Sequence, residues 1–138
     1  MKTWISHINL FVRDQQVAYD VYVGKLGFKV NTDVRMDNGM RWLTVTPPGN
    51  PDIELLLAEP RSPMMTDDVA RHIREVLEAD AMPGGVWNTD DCRKAFAEMK
   101  AKGFRFLKEP KEEFYGTEAL FLDGCGNWYS LTERKPGA

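Results

Sequence analysis

The sequence predicts an α+β fold made of one βαβββ unit stated twice, and three observations carry that reading. Residues 18–30 read AYDVYVGKLGFKV and residues 95–106 read AFAEMKAKGFRF, so a helix-period stretch runs into a Gly-Phe stop twice. The two stops, Gly27 and Gly103, stand 76 positions apart, a little over half of the 138 residues. Around each helix lie short period-two segments separated by Asn, Gly and Pro turns, the pattern of hairpins segregated from helices.

The first half reads strand, helix, strand, strand, strand. In Trp4–Val12 the residues Ile5, His7, Asn9 and Phe11 share one face by strand alternation. Asp14 offers an N-cap, and Ala18, Val21, Tyr22 and Leu26 follow at helical spacing. Beyond Gly27 a strand spans Phe28–Met36, the Asp37-Asn38-Gly39 turn reverses the chain, and Arg41–Thr46 returns. A Pro-rich turn at 47–51 leads to a fourth strand, Ile53–Ala58.

A Pro- and Met-bearing connector, Glu59–Met65, precedes a helix capped at Thr66-Asp67-Asp68 and running to about Ala79, with Val69, Ile73 and Val76 expected on its inner face. The second half then repeats the order. Gly84–Asn88 reads as a strand, and Thr89-Asp90-Asp91 caps a helix that turns Cys92, Ala95, Phe96 and Met99 inward. Strands follow at Phe104–Lys108, Ala119–Leu122 and Trp128–Thr132, with a turn at Asp123–Asn127. The expected organisation is therefore one domain, 1–138: a first module over 1–58, linker and connector helix over 59–82, a second module over 83–133 and a tail over 134–138.

Composition narrows the function classes. A hydrophobic share of 43%, a charged share of 28% and a net charge of −3 with interspersed signs give no basic face for nucleic acid. No apolar run reaches transmembrane length and the N-terminus lacks a signal-peptide pattern, so a cytoplasmic protein with no membrane partner is expected. Cys92 and Cys125, one per half and without CxxC spacing, read as reduced thiols, Cys125 in its Gly-Cys-Gly turn being the more exposed. Neither has a neighbouring histidine to activate it, and His72, between Arg71 and Arg74, reads as a surface residue.

The run Ile5-Ser6-His7-Ile8-Asn9-Leu10, the Ala18…Tyr22…Lys25-Leu26-Gly27-Phe28 segment, Thr89-Asp90-Asp91…Ala95…Lys102-Gly103-Phe104 and Phe121-Leu122-Asp123-Gly124-Cys125-Gly126-Asn127 occur in an order that resembles the vicinal oxygen chelate superfamily of glyoxalases, bleomycin-resistance proteins and extradiol dioxygenases. The resemblance spans nearly the whole chain outside 59–81. It implies a curved, mostly antiparallel sheet around a cavity to which both modules contribute, usually in a homodimer. Unpaired sheet edges make a homodimer expected on physical grounds too, and the linker has the length to let halves exchange between chains.

In metal-using relatives the first and last strands of each half supply ligands, and the resemblance matches His7 and Glu54 to two of the four positions. An imidazole and a carboxylate suit a divalent Zn, Ni, Mn or Fe ion. The other two positions match Gly84 and Ser130, which supply no comparable donor. Asp90, Glu118 and Cys125 are substitutes in residue type but stand at no matching position. Two donors fall short of the three that a catalytic divalent ion ordinarily takes, so no resident cofactor is expected. His7 and Glu54 are then a buried pair bonded to each other, to backbone or to Arg41.

What remains is a pocket of aromatics with a few oriented polar groups: His7, Asn9, Trp42, Thr44, Glu54, Trp87, Asn88, Tyr115, Phe121, Trp128 and Ser130. Trp128 shares a strand face with Ser130 and is out of phase with Tyr129, which favours Trp128 as the lining residue. The expected function is binding of a small aromatic or amphipathic molecule without a catalytic metal, with no catalytic residues assigned. The alternative is a metal-dependent lyase, isomerase or dioxygenase built on His7 and Glu54.

Overall fold

The computed structural model describes residues 1–137; the tail's last residue, Ala138, lies outside the described residues. The order is β1 (His7–Phe11), α1 (Gln15–Tyr19), β2 (Lys29–Arg35), β3 (Arg41–Thr46), β4 (Glu54–Ala58), α2 (Asp67–Glu78), β5 (Met82–Asn88), α3 (Cys92–Ala101), β6 (Arg105–Glu113), β7 (Gly116–Leu122) and β8 (Asn127–Arg134). This is an α+β protein of two βαβββ modules, each with a four-stranded mixed sheet. The strand orders are β1-β4-β3-β2 and β5-β8-β7-β6. In each sheet the module's first and last strands lie side by side in parallel, and the other pairings are antiparallel. The chain divides into two compact units, Met1–Glu78 and the part from Ala79 onward, with α2 falling in the first.

The same local chemistry shapes both modules. Asp14 caps α1 by accepting from the amides of Gln16 and Val17 at 2.8 and 3.0 Å, and Asp91 caps α3 by accepting from Lys94 at 3.0 Å. The first amide of each helix is donated to a glutamate just beyond or near the end of the last strand. Gln15 N–H reaches Glu59 Oε2 and Cys92 N–H reaches Glu133 Oε1, both at 2.9 Å. A carboxylate there satisfies an otherwise orphaned donor and complements the helix dipole.

The helix ends differ in one respect. α3 closes with Gly103 N–H on Lys100 O and Phe104 N–H on Met99 O, a pairing that needs the positive φ of 93° which Gly103 supplies. α1 continues as a π-helical stretch over Asp20–Lys25, in which Leu26 N–H reaches back to Val21 O, before Gly27 turns at φ 72°.

The first module's core holds Leu10, Val12, Ala18, Val21, Tyr22, Leu43, Val45 and Leu57, all buried. α2 is seated differently from the sequence expectation. Ala70 and Leu77 are its buried residues, whereas Val69 and Val76 are 47% and 38% exposed. Arg13 Nη1 donates to Leu77 O and Arg74 Nη1 to Pro60 O, which fixes the helix by its polar edge.

In the second module the helix-side core is aromatic. Phe96 of α3 meets Phe106 edge-on, and Phe121 stacks on Tyr129 with ring centres 5.2 Å apart. Trp87 closes on both Phe121 and Tyr129, at 5.2 and 5.0 Å. Cys125 corrects another expectation: it is 1% exposed, its amide held by Asp123 inside the turn.

Gly84 is required by this aromatic core. It is the extra residue where the pairing shifts between Pro83↔Trp128 and Gly85↔Tyr129, and a Cβ built on it would lie 2.4 Å from Tyr129 Cε1. Because that ring is held by Phe121 and Trp87, Gly84→Ala is expected to destabilise the protein by about 1–3 kcal/mol as an overpacked site. In a Tyr129→Leu background the same change is expected to cost less, as measured by urea unfolding.

Candidate functional site

Strand alternation and register decide which predicted residues meet. On the first sheet the face carrying His7 also carries Asn9, Trp42, Thr44 and Glu54, since His7 pairs with Glu54, Asn9 with Leu56 and Leu56 with Thr44. His7 Nε2 lies 3.2 Å from Glu54 Oε2, and Ser6 Oγ lies 2.9 Å from His7 Nδ1. The other oxygen of Glu54 accepts from the buried Thr44 hydroxyl at 2.8 Å. The expected His7–Glu54 pair therefore forms, but it is half-exposed rather than buried, with side chains 40% and 32% accessible. Arg41 is not its partner; that guanidinium pairs with Asp33. Asn9 is exposed, and Trp42 borders a separate crevice with Leu56, Ala58 and Met64.

On the second sheet the predicted residues separate. Trp87 and Phe121 point into the aromatic core with Tyr129. Asn88, Tyr115 and Ser130 instead line an open hollow of about 560 Å³ with Val86, Glu118, Thr132 and Arg134. Trp128 lies on the same strand face as Ser130, half-buried and opposite Leu122 and Pro83, and does not line this hollow. A second hollow, of about 730 Å³, joins Asn88, Thr89 and Asp90 to Glu133, Arg134 and Pro136.

The hub of the first hollow is Glu118, which sequence reasoning weighed only as a substitute ligand. Its Oε1 accepts from Lys108 Nζ at 2.9 Å and from the Tyr115 hydroxyl at 2.5 Å, and its Oε2 accepts from Ser130 Oγ at 2.6 Å. Ser130 Oγ lies 2.7 Å from Thr132 Oγ1, and Lys108 also pairs with Glu113 at 2.9 Å. Burial works to raise the Glu118 carboxyl, but the hydrogen bonds from Ser130, Tyr115 and Lys108 outweigh it and hold the group below the usual glutamate value. Tyr115 is pushed up by its bond to Glu118, and Lys108 is pushed up by bonds to Glu113 and Glu118. The missed signal was strand length. Starting β7 at Gly116 rather than Ala119 puts Glu118 on the face opposite Ala119 and Phe121, a charged residue inside an apolar strand.

Equivalent bonds also align the two last strands with each other. Val12 N–H bonds Ala58 O and Thr89 N–H bonds Thr132 O, while Glu59 and Glu133 hold the equivalent helix starts. Counting back along each last strand, the counterpart of Glu54 is Trp128, and Ser130 stands where Leu56 does. Trp128 pairs with Pro83 as Glu54 pairs with His7, so an indole and a proline occupy the second module's register equivalents of Glu54 and His7, and neither donates to a divalent ion. Among the described residues no group of three or more His, Cys, Asp or Glu side chains is placed to hold one.

Linkage gives the Glu118 cluster a pH signature. A carboxyl whose folded value is lowered adds stability that is present above its unfolded value and is lost as pH falls through the folded one. Glu118→Gln is expected to cost on the order of 1 kcal/mol at neutral pH. That gap to the parent should close as pH drops below 4.5, the ordinary glutamate value. Lys108 leaves this window untouched, because a raised amine loses its contribution only above 10.5. Urea unfolding of both proteins between neutral pH and pH 3 measures the closure.

Comparison with known proteins places this arrangement. The family model described as Glyoxalase/Bleomycin resistance protein/Dioxygenase superfamily matches residues 4–131. An uncharacterized protein of Shewanella frigidimarina (strain NCIMB 400) is 35% identical over 96% of this chain and 95% of its own length. Among solved structures, UcmS2 superposes with a TM-score of 0.86 at 33% identity, covering 96% of this chain and 98% of that one. TnmS3, described as an antibiotic binding protein from Streptomyces sp. CB03234, gives a TM-score of 0.73 at 28% identity, covering 97% and 98%. The chain thus belongs to the glyoxalase/bleomycin resistance protein/dioxygenase superfamily, the vicinal oxygen chelate fold that its repeated modules first suggested.

Proposed function

We propose that this protein binds a small aromatic or amphipathic molecule and does so without a catalytic metal. The observation that carries the reading is the hollow of the second module. There Val86, 66% exposed, stands beside the hydrogen-bonded set of Tyr115, Glu118, Ser130 and Thr132. An apolar surface with a few rigidly oriented polar groups is what a small-molecule site requires. The similarity to TnmS3 supports the same class of ligand. The donor set supports the metal-free part: the first module offers two candidate donors, and their register counterparts in the second are Pro83 and Trp128.

A homodimer, with or without exchange of modules, is part of this proposal. It is supported by the open edges of β1, β2, β5 and β6 and by the exposed apolar residues Ile8, Val34 and Leu107 near them. A cytoplasmic location is supported by Cys92 and Cys125 both being buried thiols, and no helix among the described residues is long and apolar enough to cross a membrane. The metal-dependent lyase, isomerase or dioxygenase reading keeps one observation in its favour, the His7 Nε2 to Glu54 Oε2 approach of 3.2 Å.

Elemental analysis of protein purified without chelator separates the two readings. Substoichiometric metal, unchanged in His7→Ala, is expected; a stoichiometric divalent ion lost in His7→Ala would establish the metalloenzyme instead. Thermal unfolding against a panel of aromatic antibiotics tests binding itself. A ligand at a hundred times its Kd is expected to add about 2.7 kcal/mol of stability. Light scattering across a dilution series is expected to give twice the monomer mass.

A further inference from the structure

Proton directions around Glu118 follow from its charge. An ionised carboxylate only accepts, so the Tyr115 hydroxyl, the Ser130 hydroxyl and the Lys108 ammonium must all donate to it. Ser130 has one proton, and it is spent on Glu118. The 2.7 Å contact between Ser130 Oγ and Thr132 Oγ1 must then use the Thr132 proton. The chain of donation runs Thr132 to Ser130 to Glu118, with Tyr115 joining from the other oxygen.

Two of these oxygens are left with lone pairs and no proton to offer: Tyr115 Oη and Thr132 Oγ1. Both residues line the hollow. Such groups cannot rotate to suit an incoming acceptor without breaking a charge-assisted bond. A carbonyl or ether oxygen placed against them meets lone pair with lone pair. A hydroxyl or amine placed there completes the network. Val86, 66% exposed in the same hollow, supplies the apolar contact. The Asn88 amide and the Arg134 guanidinium can serve acceptors elsewhere on the ligand.

We infer that this hollow selects its ligand by a fixed row of acceptors, Tyr115 Oη and Thr132 Oγ1, and takes a molecule with a hydroxyl or amine donor beside an apolar body. The selectivity is set by Glu118, which acts through Tyr115, Ser130 and Thr132 as a positioning residue. This inference rests on the small-molecule reading above and specifies the chemistry of its ligand. It also states what the site rejects: the same ring system with its donor capped as an ether.

A matched pair of probes tests it, 2-naphthol and 2-methoxynaphthalene, titrated into the ¹⁵N-labelled full chain. In the parent, 2-naphthol is expected to shift the amides of Tyr115, Glu118 and Thr132. It should bind about fivefold tighter than its methyl ether, the ratio one added hydrogen bond gives. Glu118→Gln puts a donor amide into the hub and frees the hydroxyls to turn, so the ratio is expected to fall to about one. Thr132→Val, which removes one fixed acceptor at constant volume, is expected to lower the ratio as well, and it gives the same readout should Glu118→Gln not fold. Equal affinities in the parent, a ratio unchanged in the variants, or shifts confined to other residues would overturn the inference while leaving small-molecule binding standing. If neither probe perturbed any amide, the binding reading itself would fail and take the inference with it.

Discussion

Everything at the candidate site depends on one pairing that occurs twice, the parallel alignment of a module's first and last strands. Hairpins align neighbours in sequence, but a parallel pair brings together residues that are far apart in the chain. It sets His7 beside Glu54 in one module and Val86 beside Ser130 in the other. The helix start after each first strand reinforces the pairing, because its first amide is held by Glu59 or Glu133, next to or at the end of the last strand. Sheet register and helix position are thereby fixed by the same few bonds.

The two modules spend this shared frame differently. In the first, the face opposite the core carries a half-exposed imidazole–carboxylate pair steadied by Thr44. In the second, the register-equivalent positions are taken by Pro83 and Trp128, and the polar side chains stand two and four residues further along the strand, at Ser130 and Thr132, with Glu118 across from them. Gly84 is tied to the other face of that sheet. Its missing side chain admits the Tyr129 ring, which completes the aromatic cluster with Trp87 and Phe121.

How much of this was legible in the sequence follows from which signals are local. The repeat, the capping aspartates, the Gly-Phe stops and the strand order were readable because each depends on a few adjacent residues. The pairing of His7 with Glu54 followed from placing both on module-end strands. What escaped was set by register. The bulge at Gly84 shifts β5 against β8, which no local pattern reports, and it leaves Gly84 without a partner on β8. Strand alternation separates Trp128 from Tyr129, but it does not say that Trp87 and Phe121 join Tyr129 on the helix side. Glu118 was weighed only as a stray donor because β7 was begun three residues late, at Ala119. The face of α2 was misassigned because Val69 and Val76 outrank Ala70 in hydrophobicity, while the tie from Arg13 to Leu77 rotates the helix onto Ala70.

The account of the second module turns on the charge of Glu118, since an ionised carboxylate is what orients Tyr115, Ser130 and Thr132. Direct observation of its side-chain carboxyl carbon by ¹³C NMR across a pH titration measures that charge at the residue itself. Titration below 4.5, the ordinary glutamate value, is the result this account predicts. A carboxyl still protonated at neutral pH would contradict the account, because a protonated Glu118 would donate rather than accept and would release the hydroxyl row it is said to hold.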